Sequence, residues 1–77
     1  MKVKLPLQIY HMSVISQARV AYKEYALVTV ERNKQELLLT IFAREQFNDI
    51  EKREILGSFL NYILQLSAIE ALNLEVE

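Results

Sequence analysis

The sequence contains no cysteine and no tryptophan, and only one histidine, one glycine and one proline among its 77 residues. Without cysteine there are no disulfides and no thiolate metal ligands, which favours a reducing compartment, and we expect a cytoplasmic protein. One histidine, His11, is too little for an ordinary metal site, and one glycine, Gly57, excludes a glycine-rich phosphate loop. We therefore expect no metal, no cofactor and no catalytic residues, and hence not an enzyme.

No segment of the chain is strongly basic or strongly acidic. Nine Lys and Arg residues offset ten Asp and Glu residues and are dispersed along the chain. Nucleic-acid binding normally needs clustered positive charge, so we expect no nucleic-acid partner. The first residues alternate instead of forming an apolar block, and the longest uncharged stretch, residues 55–69, is too short for a bilayer. We expect neither a signal peptide nor a membrane partner.

The length predicts one domain, residues 1–77, with a single hydrophobic core, and the strand and helix patterns described below predict the α+β class. A domain of this size buries only about 60% of the surface that its unfolded chain exposes, and is marginally stable unless something else contributes. Disulfides, a structural metal and association are the usual contributors. Because the first two are not expected, association remains.

Three segments have the alternation of apolar and polar residues that is typical of strands. The first is Lys2–Tyr10, where Pro6 indicates an edge position because proline cannot donate to a ladder. Residues 26–31 and 36–42 predict a hairpin around the polar residues 32–35. The second face of this hairpin is not fully polar, because it carries Leu27, Leu38 and Phe42.

Two helices are predicted. Ser13 is the expected N-cap of the first, over about residues 14–24. Asn48 and Glu51 have the form of a capping box, which predicts a second helix from Asp49 to about Ala71. Gly57 inside it predicts close contact with another backbone. The last residues, 72–77, alternate again, so the order is either βαββα or, with a terminal strand, a ferredoxin-like βαββαβ; both are two-layer sandwiches.

The second helix is apolar over an unusually wide arc. One stripe is formed by Ile55, Phe59, Tyr62, Leu66 and Ile69, and beside it lie Leu56, Leu60, Ile63 and Leu64. Together they cover about 220°, whereas a core-facing helix needs only about 100° or a little more. Either the first helix and the sheet wrap this helix, or the excess is a protein interface. For the interface we expect Leu27, Leu38, Phe42, Leu56, Leu60 and Leu64.

Several segments resemble the small D component (HxsD) of the His-Xaa-Ser peptide maturation systems. These are Ile9-Tyr10 at the end of the first strand, the alanine-bearing helix ending near Tyr22, the hairpin, and the stretch from Ser58 to Leu64, which is similar to the Phe-Leu-Asn signature of the family. Where the family tends to have acids around this signature, the chain has Ser58 and Gln65. The resemblance implies an accessory protein that helps a radical-SAM enzyme or its peptide substrate, with Asn61 as an additional interface residue.

The sequence thus favours a non-catalytic protein-interaction or accessory module, which assembles with itself or with a larger complex. A small homo-oligomeric regulatory protein is the alternative. Two further hypotheses require a site that only the fold would assemble. A nucleic-acid-binding factor needs a basic patch formed in space, and a small oligomeric enzyme needs a pocket around His11 or around the carboxylates of residues 45–54.

Overall fold

The chain alternates strands and helices in the order βαββα. The computed structural model describes residues 1–76, with their side chains as far as residue 69. Its elements are β1 (Lys2–Pro6), α1 (Met12–Ala21), β2 (Ala26–Arg32), β3 (Glu36–Ala43) and α2 (Asp49–Val76). The predicted α+β class is confirmed. Of the two predicted orders the one without a terminal strand is observed, because α2 continues past Ala71 to Val76; Glu77 lies outside the described residues.

The sheet is antiparallel, with β3 between β1 and β2. Pro6 therefore lies on an edge strand, as its missing amide predicts. The predicted extent of β1 as far as Tyr10 is wrong. The amides of Ile9 and Tyr10 both donate to the Pro6 carbonyl, at 3.2 and 3.1 Å, and this turn ends the strand.

The predicted hairpin is confirmed, and Asn33 fixes its turn. Its side-chain oxygen accepts from the amides of Gln35 and Glu36, at 3.0 and 2.8 Å. Its own amide donates to the Glu36 carbonyl at 3.0 Å. Asparagine side chains commonly close turns in this way, and here the turn sets the pairing register of β2 and β3.

The first helix starts earlier than the sequence predicts. Its N-cap is His11, whose side chain makes no capping hydrogen bond, and Ser13 lies inside the first turn. The His11 carbonyl accepts from the Val14 amide at 3.1 Å, so helical bonding begins before the predicted cap. The helix also ends earlier, at Ala21, because the Tyr22 carbonyl accepts from the amides of Tyr25 and Ala26 and turns the chain into β2.

The start of α2 is confirmed in detail. The Glu51 amide donates to the Asn48 side-chain oxygen at 2.8 Å, and the Asn48 amide donates to a Glu51 carboxylate oxygen at 2.9 Å. This reciprocal pair is a capping box, with Asn in place of Ser or Thr. With 28 residues, α2 is about 42 Å long at 1.5 Å per residue.

Both helices pack on one face of the sheet, which we call the inner face. Alternate residues of β3, namely Leu37, Leu39 and Ile41, are fully buried there. The core also contains Leu5, Val14, Ile15, Ala18, Ala26, Val28, Phe59 and Ile63. No described element packs on the opposite face, which we call the outer face.

The predicted stripe of α2 faces the core only in part. The most buried residues of α2 are Phe59 and Ile63, followed by Ser67. Ile69, which belongs to the predicted stripe, is 54% exposed. The core-facing direction is therefore rotated toward the residues predicted to lie beside the stripe. Leu56 and Leu60 are partly buried against the core, so α1 and the sheet absorb part of the wide apolar arc.

Among the described residues Gly57 does not contact another backbone, contrary to the prediction. It is exposed, and a Cβ atom placed on it would meet no atom within 4 Å beyond its chain neighbours and the adjacent backbone of its own helix. Helix packing therefore does not require glycine at this position.

Candidate interaction surfaces

The outer face of the sheet exposes a cross-strand pair of large apolar side chains. Leu27 of β2 lies directly opposite Phe42 of β3, and each is 55% exposed. Residues opposite each other on neighbouring strands have Cβ atoms about 5 Å apart, so the two side chains are in reach of each other. Leu38 is half-buried further along the same face. The three residues predicted on the second face of the hairpin thus all lie on the outer face.

Charges of opposite sign flank Leu38 on this face. In the register of the sheet, Leu38 pairs with Lys4 on one side and with Glu31 on the other. Since neighbouring strands are about 4.8 Å apart, the Cα atoms of Lys4 and Glu31 are about 10 Å apart, on either side of β3. The next row is Lys2, Thr40 and Thr29, so β1 contributes the positive border of the face.

The predicted interface residues of α2 lie on a second surface. Asn61 is exposed and Leu64 is 55% exposed, whereas Leu56 and Leu60 are partly buried. Because α2 packs on the inner face, the sheet separates these four residues from Leu27, Leu38 and Phe42. The seven predicted interface residues therefore form two surfaces.

The α2 surface includes a shallow groove of about 410 Å³. The groove brings α2 together with β1 and the turn after it, and its lining residues are Val3, Leu5, Tyr10, Leu60, Asn61, Ile63 and Leu64. Tyr10 and the segment 60–64 are distant in sequence, yet both belong to the stretches that carry the family resemblance. They meet here at the edge of the core.

An aromatic cluster holds α1 against α2. Tyr22 makes edge-to-face contacts with Phe59 and Tyr62, with ring centroids 5.3 and 5.6 Å apart. Its hydroxyl group is hydrogen-bonded to that of Ser58. Such ring pairs contribute about 0.5–1.5 kcal/mol beyond their buried area. Tyr22 and Tyr62 thus pack between the two helices.

A third surface was not predicted from the sequence. A groove of about 360 Å³ runs between α1 and β2, and three cations line it: Arg19, Lys23 and Arg44. The Arg44 side chain reaches the turn after α1, where its Nε donates to the Lys23 carbonyl at 2.9 Å. The spacing of Arg19 and Lys23 by four residues is the only signal that sequence offers, since Arg44 comes from beyond β3.

The polar residues considered as catalytic or metal-binding candidates are exposed or take part in helix capping and ion pairing. His11 is exposed at the start of α1. Glu51 belongs to the capping box, and Glu45 forms an ion pair with Lys52 at 3.3 Å. Among the described residues, no group of three or more His, Asp or Glu side chains is placed to hold a metal ion.

No known protein family, no curated protein and no solved structure matches the chain. Within the described part of the chain, none of the helices is long and apolar enough to cross a membrane. The surfaces themselves therefore provide the argument for function.

Proposed function

We propose that the chain is a non-catalytic protein-interaction module that binds a protein partner through the outer face of its sheet. The observation that carries the proposal is the exposed pair of Leu27 and Phe42 at the end of an uncovered sheet face. A solvated antiparallel face normally carries polar side chains at such positions. Here they are large and apolar, and a partner would remove them from water.

The energy available from this pair is substantial for a small surface. Full burial of a Leu or Phe side chain contributes about 1.5–3 kcal/mol, and each of these is still about half exposed. Leu38 and the threonines of the neighbouring row extend the face without adding charge at its centre. Such an apolar centre with a charged border has the anatomy of an interface.

As a more specific form of the proposal, the module assists a radical-SAM enzyme that modifies a peptide, in the cytoplasm. The resemblance to the small component of the His-Xaa-Ser systems supports this role, and the absence of cysteine supports the location. The meeting of Tyr10 with Leu60, Asn61 and Leu64 in one groove offers a defined place for the second contact of an accessory protein.

The test is site-specific photo-cross-linking in the source cells. A benzophenone side chain at position 42 is expected to give a discrete cross-linked species, because this position lies at the interface. The same side chain at Gln17, an exposed position on α1, is the matched control. Phe42→Glu, introduced with the benzophenone moved to position 27, should abolish the species while the circular dichroism spectrum stays unchanged. Failure of position 42 to cross-link, together with a purified chain that sediments as a 9.0 kDa monomer, would refute the proposal.

A homo-oligomeric regulatory protein is a second candidate, because the outer face is self-complementary. A two-fold axis parallel to the strands would stack β1 of one copy over β2 of the other. Lys4 would then face Glu31 of the second copy, and Leu38 would face its own counterpart. Isologous interfaces require this self-complementarity, and aligned sheets pack close to this orientation.

Charge reversal distinguishes self-association from binding to a different protein. Lys4→Glu would place like charges together twice in the dimer, and we expect dimer affinity to fall by about tenfold in sedimentation equilibrium. Adding Glu31→Lys restores both pairs with exchanged signs and should restore the affinity. Lys34→Glu, which makes the same change in the hairpin turn, should have no effect. Equal dimerisation of Lys4→Glu and of the unmodified chain would exclude this arrangement.

A further inference from the structure

One edge of the sheet directs unpaired backbone groups toward a groove. The Asn33 amide donates to the Glu36 carbonyl at 3.0 Å, and the Arg44 amide donates to the Tyr25 carbonyl at 2.9 Å. Residues facing each other in antiparallel strands alternate between bonded and non-bonded pairs. Between these two bonded pairs, Val28 and Val30 therefore point their N–H and C=O groups away from β3. No described strand pairs with this edge of β2.

The groove between α1 and β2 lies along the first part of this edge, at Ala26, Leu27 and Val28. Its floor includes Ala26 and Val28, which are buried, and its walls include Val20 and Leu27, which are 68% and 55% exposed. A free strand edge beside a groove is the arrangement by which proteins bind peptides through strand addition. The backbone supplies hydrogen bonds, and the groove contacts alternate side chains of the peptide.

The charge of the groove specifies the occupant. Arg19, Lys23 and Arg44 line it, and no Asp or Glu does, although the whole chain has a net charge of −1. Concentration of one sign of charge in a cleft attracts ligands of the opposite sign. A second copy of the chain would bring the same three cations against this edge, so self-pairing of β2 is disfavoured.

We propose that the free edge of β2 and the adjacent α1 groove bind an acidic protein segment in extended conformation, which adds a fourth strand to the sheet. The opposite edge is unsuited to this role. On β1 the outward-pointing positions are Lys2, Lys4 and Pro6, and the last has no amide to donate. Of the apolar residues of the outer face, Leu27 also lines the groove, so the charge variants at Arg19 and Lys23 test the peptide site independently of the proposed function.

The direct test is titration of the ¹⁵N-labelled chain with a short peptide of alternating glutamate and valine. The amide resonances of Val28, Val30 and Arg32 are expected to shift most, and their hydrogen exchange should slow, because these groups gain hydrogen-bond partners. A lysine and valine peptide of equal length is the control for charge. The acidic peptide with one central proline is the control for strand pairing. Both controls are expected to bind at least about tenfold more weakly.

Variants of the chain test the two components separately. Val30→Pro removes an outward amide and leaves the ladder to β3 intact, and it should lower peptide affinity about tenfold. The double variant Arg19→Glu, Lys23→Glu should abolish binding of the acidic peptide, whereas Lys34→Glu should not change it. If Val30→Pro fails to fold, the two charge variants decide the matter on their own.

Three outcomes would overturn the inference. The acidic and basic peptides would bind equally, the largest shifts would fall on Leu38 and Phe42 of the outer face, or the β2 amides would become protected through self-association without peptide. Any one of them means that the edge of β2 is not a site for an acidic strand.

Discussion

The two faces of the sheet differ far more in burial than in sequence. On β3, Leu37, Leu39 and Ile41 point to the inner face and are fully buried. Their immediate neighbours Leu38, Thr40 and Phe42 point to the outer face and are half-buried or exposed. Both faces carry large apolar side chains, yet the described helices cover only the inner one. Covering elements, and not hydrophobicity alone, therefore decide which apolar residues form the core.

The same contrast recurs around α2. Phe59 and Ile63 are buried between the sheet and α1, whereas Leu64, the next residue, is 55% exposed. The aromatic contacts of Tyr22 with Phe59 and Tyr62 orient the helix. The outer face and the exposed side of α2 remain open to a partner. The variants below compare how substitutions at covered and uncovered positions change the free energy of unfolding.

Adjacent leucines on β3 give the sharpest form of the comparison. Leu39→Ala should lower the free energy of unfolding by about 2–5 kcal/mol, because it leaves a cavity in the inner core. Leu38→Ala should lower it by less than about 1 kcal/mol, because the side chain is only half-buried and the outer face remains open. Urea denaturation of both variants measures the two values.

Equal losses for the two leucines would break the comparison. That result would mean that the outer face is covered in the free protein, for example by a second copy. Repeating the denaturation at two protein concentrations separates these cases, since only an associated state makes stability depend on concentration.

Sequence reasoning reached the alternation of the strands, the capping box of α2 and the edge position of Pro6, because each depends on local chemistry. It did not reach the orientation of α2. A wide apolar arc contains several directions that could face the core, and the contact between Tyr22 and Phe59 selects one of them. The exposure of Gly57 likewise depends on what packs nearby, which composition does not specify.

The candidate surfaces show the same limit. Alternation placed Leu27, Leu38 and Phe42 on a common face, but sequence could not show that no described element covers it. The cationic groove was missed altogether, because Arg44 lies far along the chain from Arg19 and Lys23. Residues that are dispersed in sequence become a patch only through the pairing of β2 with β3.

Ser67 is a polar residue on the covered side of α2, and it offers the next largest effect. It is buried, and its hydroxyl group has no hydrogen-bond partner among the described residues. Ser67→Ala removes this unsatisfied group and improves helix propensity, so we expect stabilisation of about 1–2 kcal/mol. In thermal denaturation this corresponds to a rise in Tm of at least about 4 °C for a domain of this size.

Ser58→Ala is the matched control on α2. It gains the same helix propensity but loses the hydrogen bond to the Tyr22 hydroxyl group, so its net effect should be near zero. If Ser67→Ala is no more stabilising than Ser58→Ala, the hydroxyl group of Ser67 has a hydrogen-bond partner in solution. Water would then reach this part of the covered side of α2.

Gly57 tests the uncovered side of α2 with the smallest expected effect. Because a Cβ atom there meets nothing within 4 Å, Gly57→Ala should stabilise the free protein by about 0.5–1 kcal/mol through helix propensity alone. Gln65→Ala, also exposed, changes propensity very little and serves as the control. Thermal denaturation measures both variants. Should Gly57→Ala destabilise the chain instead, a second backbone must approach this side of α2 in solution, and the helix surface would then be covered by association in addition to the sheet face.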